Sequence, residues 1–220
     1  MTHSRQVVIY GAGGFAREAA WLIGECGTPD VGWTVPCFID DNPSNWGQSL
    51  NGVPVVSLEE ARAQYPEAEL LCAVGDPRTR ERLVKLAAEA GFSFATAIHP
   101  SVQRSPWVEI GVGAAVLPGS TITVNVKIGT HVHINPGCTI AHDVVIGDFA
   151  LIAPGAHLSG NVHLGRRVYM GTGASIIHGS SEMPLVVGDD AIIGAGACVT
   201  RAVPPGVTVV GVPARPVERR

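Results

Sequence analysis

His142 and Asp143 stand side by side in the stretch TIAHDVVIGD, residues 139–148. An imidazole next to a carboxylate is a base with its own orienting group. Histidine accepts a proton near neutral pH because its unperturbed pKa is about 6.5. A neighbouring carboxylate holds the ring in one tautomer and stabilises the imidazolium that forms. Such a pair suits a transfer in which an attacking amine or hydroxyl must shed a proton. Cys138 lies four residues upstream. It occupies a position reserved for small inward residues and reads as core, not as a nucleophile.

A second group of residues points to a phosphate. GAGGFA fits the pattern G-x-G-x-x-A through Gly11, Gly13 and Ala16, after the apolar run QVVIY and before a helical stretch. Glycines there let a backbone approach a phosphate-bearing ligand at a helix N-terminus. VPCFIDD places Asp40 and Asp41 at the end of the next strand, and AVGDPRTR adds Gly75, Asp76 and Arg80. Taken alone, the motif suggests a dinucleotide with Asp40 on a ribose. About 100 residues, however, make only half of a dinucleotide fold.

The elements that must position these groups fall into two regions. QVVIY (6–10), VPCFIDD (35–41) and LLCAVGD (70–76) read as strands. FAREAAWLIGE (15–25), SLEEARAQY (57–65) and RTRERLVKLAAEAG (78–91) read as helices between and after them. Alternation of this kind predicts a parallel sheet with crossover helices. HPSVQRSPW (99–107) reads as the connection, giving domains of 1–98 and 99–220.

From residue 110 the rhythm changes. An aliphatic residue returns every six positions, from Ile110 through Ile122, Ile134, Ile146 and Leu158 to Ile176, with a small residue or Val two positions before each. An 18-residue period overlies it, carried by Pro118, Pro136 and Pro154 and by Gly111, Gly129, Gly147 and Gly165. Three hexads per turn predict a triangular parallel β-helix. The break after Ile176 predicts a loop over 177–186.

Stacking the 18-residue coils aligns 124–125, 142–143, 160–161 and 178–179 on one corner, reading Val-Asn, His-Asp, Gly-Asn and His-Gly. Asn and Gly suit a corner with positive φ. Gly160 falls one coil, about 4.8 Å, above His142. Its missing side chain is expected to leave a slot beside the imidazole for a thin substrate arm.

Composition narrows the function classes. The net charge is −4 without acidic or basic blocks, which argues against nucleic acid or a membrane surface as partner. The N-terminal apolar run breaks into glycines after four residues, unlike a secretion signal, and nothing resembles a membrane span. Five cysteines without CxxC spacing read as reduced thiols, so a cytoplasmic location is expected.

The chain resembles the hexapeptide-repeat acyltransferases, specifically the bacterial sugar acetyltransferases of the PglD/NeuD type. The residues that carry the resemblance are VVIYGAGGFARE, FIDDN, AVGDPRTR, IHPSV, AHDVVIGD and GVPAR, spread over nearly the whole chain. It implies a Rossmann-like half-domain followed by a left-handed β-helix, acetyl-CoA as co-substrate and a homotrimer. By position it implies His142 and Asp143 as catalytic and Gly160, Thr172 and Ala195 as acetyl-CoA contacts. Gly11, Gly13, Gly14, Asp40, Asp41, Gly75, Asp76 and Arg80 would meet a nucleotide sugar. Many members carry His where this chain has Phe15 and where it has Leu151, so neither contact carries over. His131 and His133 are spaced like ligands of the zinc-containing β-helix carbonic anhydrases, but His-x-His is common on strands and no metal is expected. The leading expectation is N-acetylation of a nucleotide-linked amino sugar. O-acetylation of a sugar of the sialic-acid kind, and a non-catalytic nucleotide-sugar-binding trimer, are the alternatives.

Overall fold

The computed structural model describes residues 4–27 and 31–217. The chain divides into two compact units, 1–100 and 101–220.

In the first unit, β1 (Arg5–Tyr10) is the central strand, and its Val7, Val8 and Ile9 are fully buried. It runs parallel to β2 (Trp33–Thr34), to β3 (Phe38–Ile39) and, on its other edge, to β6 (Glu69–Cys72). The helices are α1 (Gly14–Glu25), α2 (Leu58–Gln64) and α3 (Pro77–Glu89). α2 begins as its sequence predicts: the Ser57 hydroxyl caps the Glu60 N–H, with Glu59 and Glu60 in the first turn. The hairpin of β4 (Ser49–Leu50) and β5 (Val53–Val56) extends the sheet beyond β3. Sequence reading misses both strands because Pro54 interrupts the only apolar run. The turn residues Asn51 and Gly52, both at positive φ, are the signal that could have found them.

The second unit is a left-handed β-helix. Each coil contributes one short strand to each of three parallel sheets, and each strand pairs with its equivalent 18 residues on: Thr121 with Thr139, Lys127 with Val145, His133 with Leu151. The hexad residues Ile122 to Ile176 point inward and are at most 4% exposed. The small residues between them, Val132, Cys138, Val144 and Ala156 among them, are fully buried. Burial raises the Cys138 thiol pKa, which fits core and not nucleophile. The extra residues after Ile176 loop out, and the ladder resumes where Leu185 pairs with Val162.

The prism turns at three corners, each with one residue in the left-handed region. Gly119, Gly137, Gly155 and Gly173 supply it at one, His131, Phe149 and Arg167 at the second, and Asn125, Asp143 and Asn161 at the third. The third corner therefore tolerates Asp, because short polar side chains visit this region at low cost.

Candidate active site

His142 and Asp143 project from that third corner. His142 Nδ1 lies 2.9 Å from Asp143 Oδ2. Asp143 Oδ1 accepts a 3.2 Å hydrogen bond from the Asn125 side-chain amide one coil below. Both members are about half-exposed, as a group that must meet an incoming substrate requires. The hydrogen bonds from His142 and then Asn125 hold the Asp143 carboxyl below its ordinary value, so it stays an anion beside the ring. With the Nδ1 proton donated to Asp143, Nε2 carries the lone pair and faces away from the carboxylate.

Gly160 does not leave an open slot. A Cβ there would meet the His142 ring, with Cε1 at 2.4 Å and Nε2 at 2.5 Å. The imidazole itself fills the space the glycine vacates. Thr172 and Ala195 stack at the Pro-Gly corner, where Gly196 donates to the Thr172 carbonyl at 2.8 Å. They lie at one edge of the face built from 121–122, 139–140, 157–158 and 175–176, and His142 lies at the other. On that face His157 Nδ1 lies 2.8 Å from Thr139 Oγ1. His131 turns a corner and stacks on Phe149, whereas His133 sits within a strand. Among the described residues no group of three His, Cys, Asp or Glu side chains is placed to hold a metal ion.

The first unit holds a cavity of about 420 Å³ at the C-terminal ends of its parallel strands, where open α/β sheets place their ligands. Gly11 to Phe15, Asp40, Asp41, Gly75, Thr79 and Arg82 line it. Gly11 is glycine for an internal reason: its φ is +122°, and a Cβ would meet the Ala73 carbonyl oxygen at 2.9 Å. At Gly13 and Gly14 an added Cβ would meet nothing within 4 Å. Gly13 also starts α1 without a side-chain cap, and the helix N-terminus, the end that favours an anion, lies against the cavity.

The two aspartates differ. Asp40 is tied into the following turn, accepting from the Asn42 N–H at 2.8 Å and the Asn45 amide at 3.0 Å. Asp41 accepts a hydrogen bond from the Tyr10 hydroxyl and lies 3.4 Å from Arg82 Nη2. Burial, and then the bond to Asp41, push the Tyr10 pKa upward. Asp76 and Arg80, expected at the ligand, have other work. Asp76 caps α3 through the Thr79 N–H at 2.8 Å. Arg80 is fully buried and donates to the carbonyls of Val74 and Gly75 at 2.7 and 3.1 Å, bracing the loop that carries Gly75. Burial lowers its pKa to about 10. Thr79 and Arg82 take the cavity positions in their place. Their spacing to Asp76, a cap followed by the next helical turn, was the signal available in the sequence.

A half-sized α/β unit with a glycine-rich turn, joined to a hexapeptide β-helix that presents a His–Asp pair, defines a class of acyltransferase. Residues 6–87 match the family described as the PglD N-terminal domain, and 125–160 match the bacterial transferase hexapeptide of six repeats. The chain is 36% identical over 217 residues to the GDP-perosamine N-acetyltransferase of Escherichia coli O157:H7, covering 96% of each. A histidine-to-asparagine mutant of perosamine N-acetyltransferase from Caulobacter crescentus, solved with CoA and GDP-perosamine, superposes with a TM-score of 0.87 at 36% identity over 97% of each chain. The acetyltransferase domain of PglB from Neisseria gonorrhoeae, solved with acetyl coenzyme A, gives 0.84 at 33% identity, covering 97% of this chain and all of that one. The chain belongs to the PglD-type hexapeptide-repeat acyltransferases. Among the described residues no helix is long and apolar enough to cross a membrane.

Proposed function

We propose that the protein transfers an acetyl group from acetyl-CoA to the amine of a nucleotide-linked amino sugar, with His142 as general base. The carrying observation is the His142–Asp143 pair at 2.9 Å, half-exposed on a β-helix corner. The chemistry of the relatives, N-acetylation of GDP-perosamine, makes a GDP-linked amino sugar the first substrate to test. In this reading Nε2 takes a proton from the amine as its nitrogen attacks the thioester carbonyl. The C–N bond forms, the C–S bond breaks, and the CoA thiolate recovers the proton. A main-chain N–H at the corner would meet the oxyanion. The cavity of the first unit holds the nucleotide, with the diphosphate at the start of α1 and Asp40, Asp41 and Arg82 at the base or ribose.

The reading extends to a homotrimer. Gly160 and His142 share one corner while Thr172 and Ala195 share another, so an acetyl-CoA arm touching all of them suits a groove closed by a second copy. Val145 and Ile192, 36% and 44% exposed, are apolar outward side chains that such closure would cover. The five free thiols fit a cytoplasmic setting.

A thiol-release assay with acetyl-CoA and a panel of nucleotide-linked amino and hydroxy sugars tests the function. Release is expected with the amino sugars. Release with hydroxy sugars alone would replace N- by O-acetylation, and binding without release would leave a nucleotide-sugar sensor. Light scattering should give a trimer, and a fully active monomer would refute the shared groove.

A further inference from the structure

The corner column orders its side chains along the prism. Asn125, Asp143 and Asn161 hold equivalent left-handed positions on successive coils, at φ of 56°, 56° and 55°. Backbone hydrogen bonds lock the register, Asp143 N–H donating to the Val124 carbonyl at 3.1 Å and Asn161 N–H to the His142 carbonyl at 3.0 Å. The Asn125 amide is thereby set beneath Asp143, 3.2 Å from Oδ1, while Oδ2 meets His142 Nδ1 at 2.9 Å. A carboxylate on an open corner has several accessible rotamers, and water competes for each oxygen. A donor fixed from the coil below occupies one oxygen and leaves the other turned to the ring.

We infer that Asn125 is a positioning residue, holding the Asp143 carboxylate in the rotamer that orients the His142 imidazole. This rests on His142 being the base. The backbone alone would accept glycine at residue 125, because the corner asks only for positive φ. Asparagine adds an uncharged donor, which neither competes for the proton nor repels the carboxylate. Lysine or arginine there would bring a cation that opposes the imidazolium. The other side chains at this corner, Val124 and Asn161, carry no charge; Lys127 follows on the adjoining strand, and His178 stands two coils above His142.

Two substitutions separate the hydrogen bond from the turn. Asn125→Gly keeps the left-handed backbone and removes the donor. It should lower kcat about five- to tenfold, the scale of one ordinary net hydrogen bond at a solvent-exposed site, with KM for both substrates and Tm nearly unchanged. Asn125→Asp keeps the shape but sets a second carboxylate against Asp143. The added negative charge favours the imidazolium, so the acidic limb of the kcat–pH profile should move upward by about half to one pH unit. In a His142→Ala background the Asn125→Gly change should have no further effect on residual kcat.

Three results would overturn the inference: wild-type kcat and an unmoved acidic limb in both variants, losses confined to Tm, or an undiminished effect of Asn125→Gly without the imidazole. If His142→Ala itself keeps the wild-type rate, the base assignment fails first. If His142→Ala is inactive while both Asn125 variants behave as wild type, only the positioning role fails.

Discussion

The two units build their sites by different routes. In the β-helix the His142–Asp143 pair, the donor beneath it and the glycine above it all come from one corner repeated at 18-residue spacing. In the α/β unit the cavity draws on four separate segments, around Tyr10, Ile39, Ala73 and Thr79. A repeat places residues by counting, so one coil can be altered at a corner while its neighbours carry the fold. A parallel sheet places them by how loops leave the strand ends. There, two arginines only two positions apart, Arg80 and Arg82, meet opposite fates, one buried in support of a loop and one facing the cavity.

The sharpest way to break this contrast is at His142. His142→Ala should lower kcat by about 10²–10⁴, the range of a lost general base, with an unchanged melting temperature because the side chain is exposed. Asp143→Asn should cost less, since in the proposed mechanism that carboxylate orients the ring and does not take the proton. Steady-state kinetics beside thermal melts would decide, and more than a third of wild-type kcat in His142→Ala would end the assignment.

Gly160 gives the next largest effect. Because the ring occupies the space, Gly160→Ala must push the imidazole aside, and kcat should fall by roughly tenfold or more, a misplaced catalytic group being costly. The coil should stay folded, since Gly160 has no positive φ and Val124 fills the equivalent corner. A rise confined to the KM for acetyl-CoA, with kcat intact, would restore the open-slot reading.

Arg80 and Arg82 sharpen the comparison within the α/β unit. Arg80→Ala should lose about 3 kcal/mol of stability, as buried hydrogen bonds from a charged donor contribute roughly 1.5–3 kcal/mol each. Arg82→Ala should leave stability alone and weaken nucleotide-sugar binding about tenfold, a single charged contact. Denaturant titration and calorimetric binding separate the two, and equal behaviour of the arginines would erase the distinction.

The smallest effect belongs to Asp76. Loss of the α3 cap in Asp76→Ala should cost about 1 kcal/mol. Hydrogen bonds from Thr79 depress its folded pKa, so its contribution is present above the unfolded value and is lost as pH falls through the folded one. Wild type and variant should therefore converge in stability on strong acidification, and a gap constant with pH would deny the carboxylate a role.

The amino-acid sequence by itself determined the coil register, the inward rows and the pairing of His142 with Asp143 at a corner shared with Asn125 and Gly160. Each of these follows from counting, because every coil repeats the same backbone path and a buried aliphatic row cannot slip without exposing itself. It also determined α2 with its Ser57 cap and the glycine turn before α1. Only the tertiary structure decided that Gly160 houses the imidazole, that Asp76 caps α3 while Arg80 braces a loop, and that Tyr10, Thr79 and Arg82 face the cavity. Those outcomes depend on side-chain direction at strand ends and on which atoms fill a vacated volume. Neither quantity has a period along the chain, so no spacing in the sequence records it.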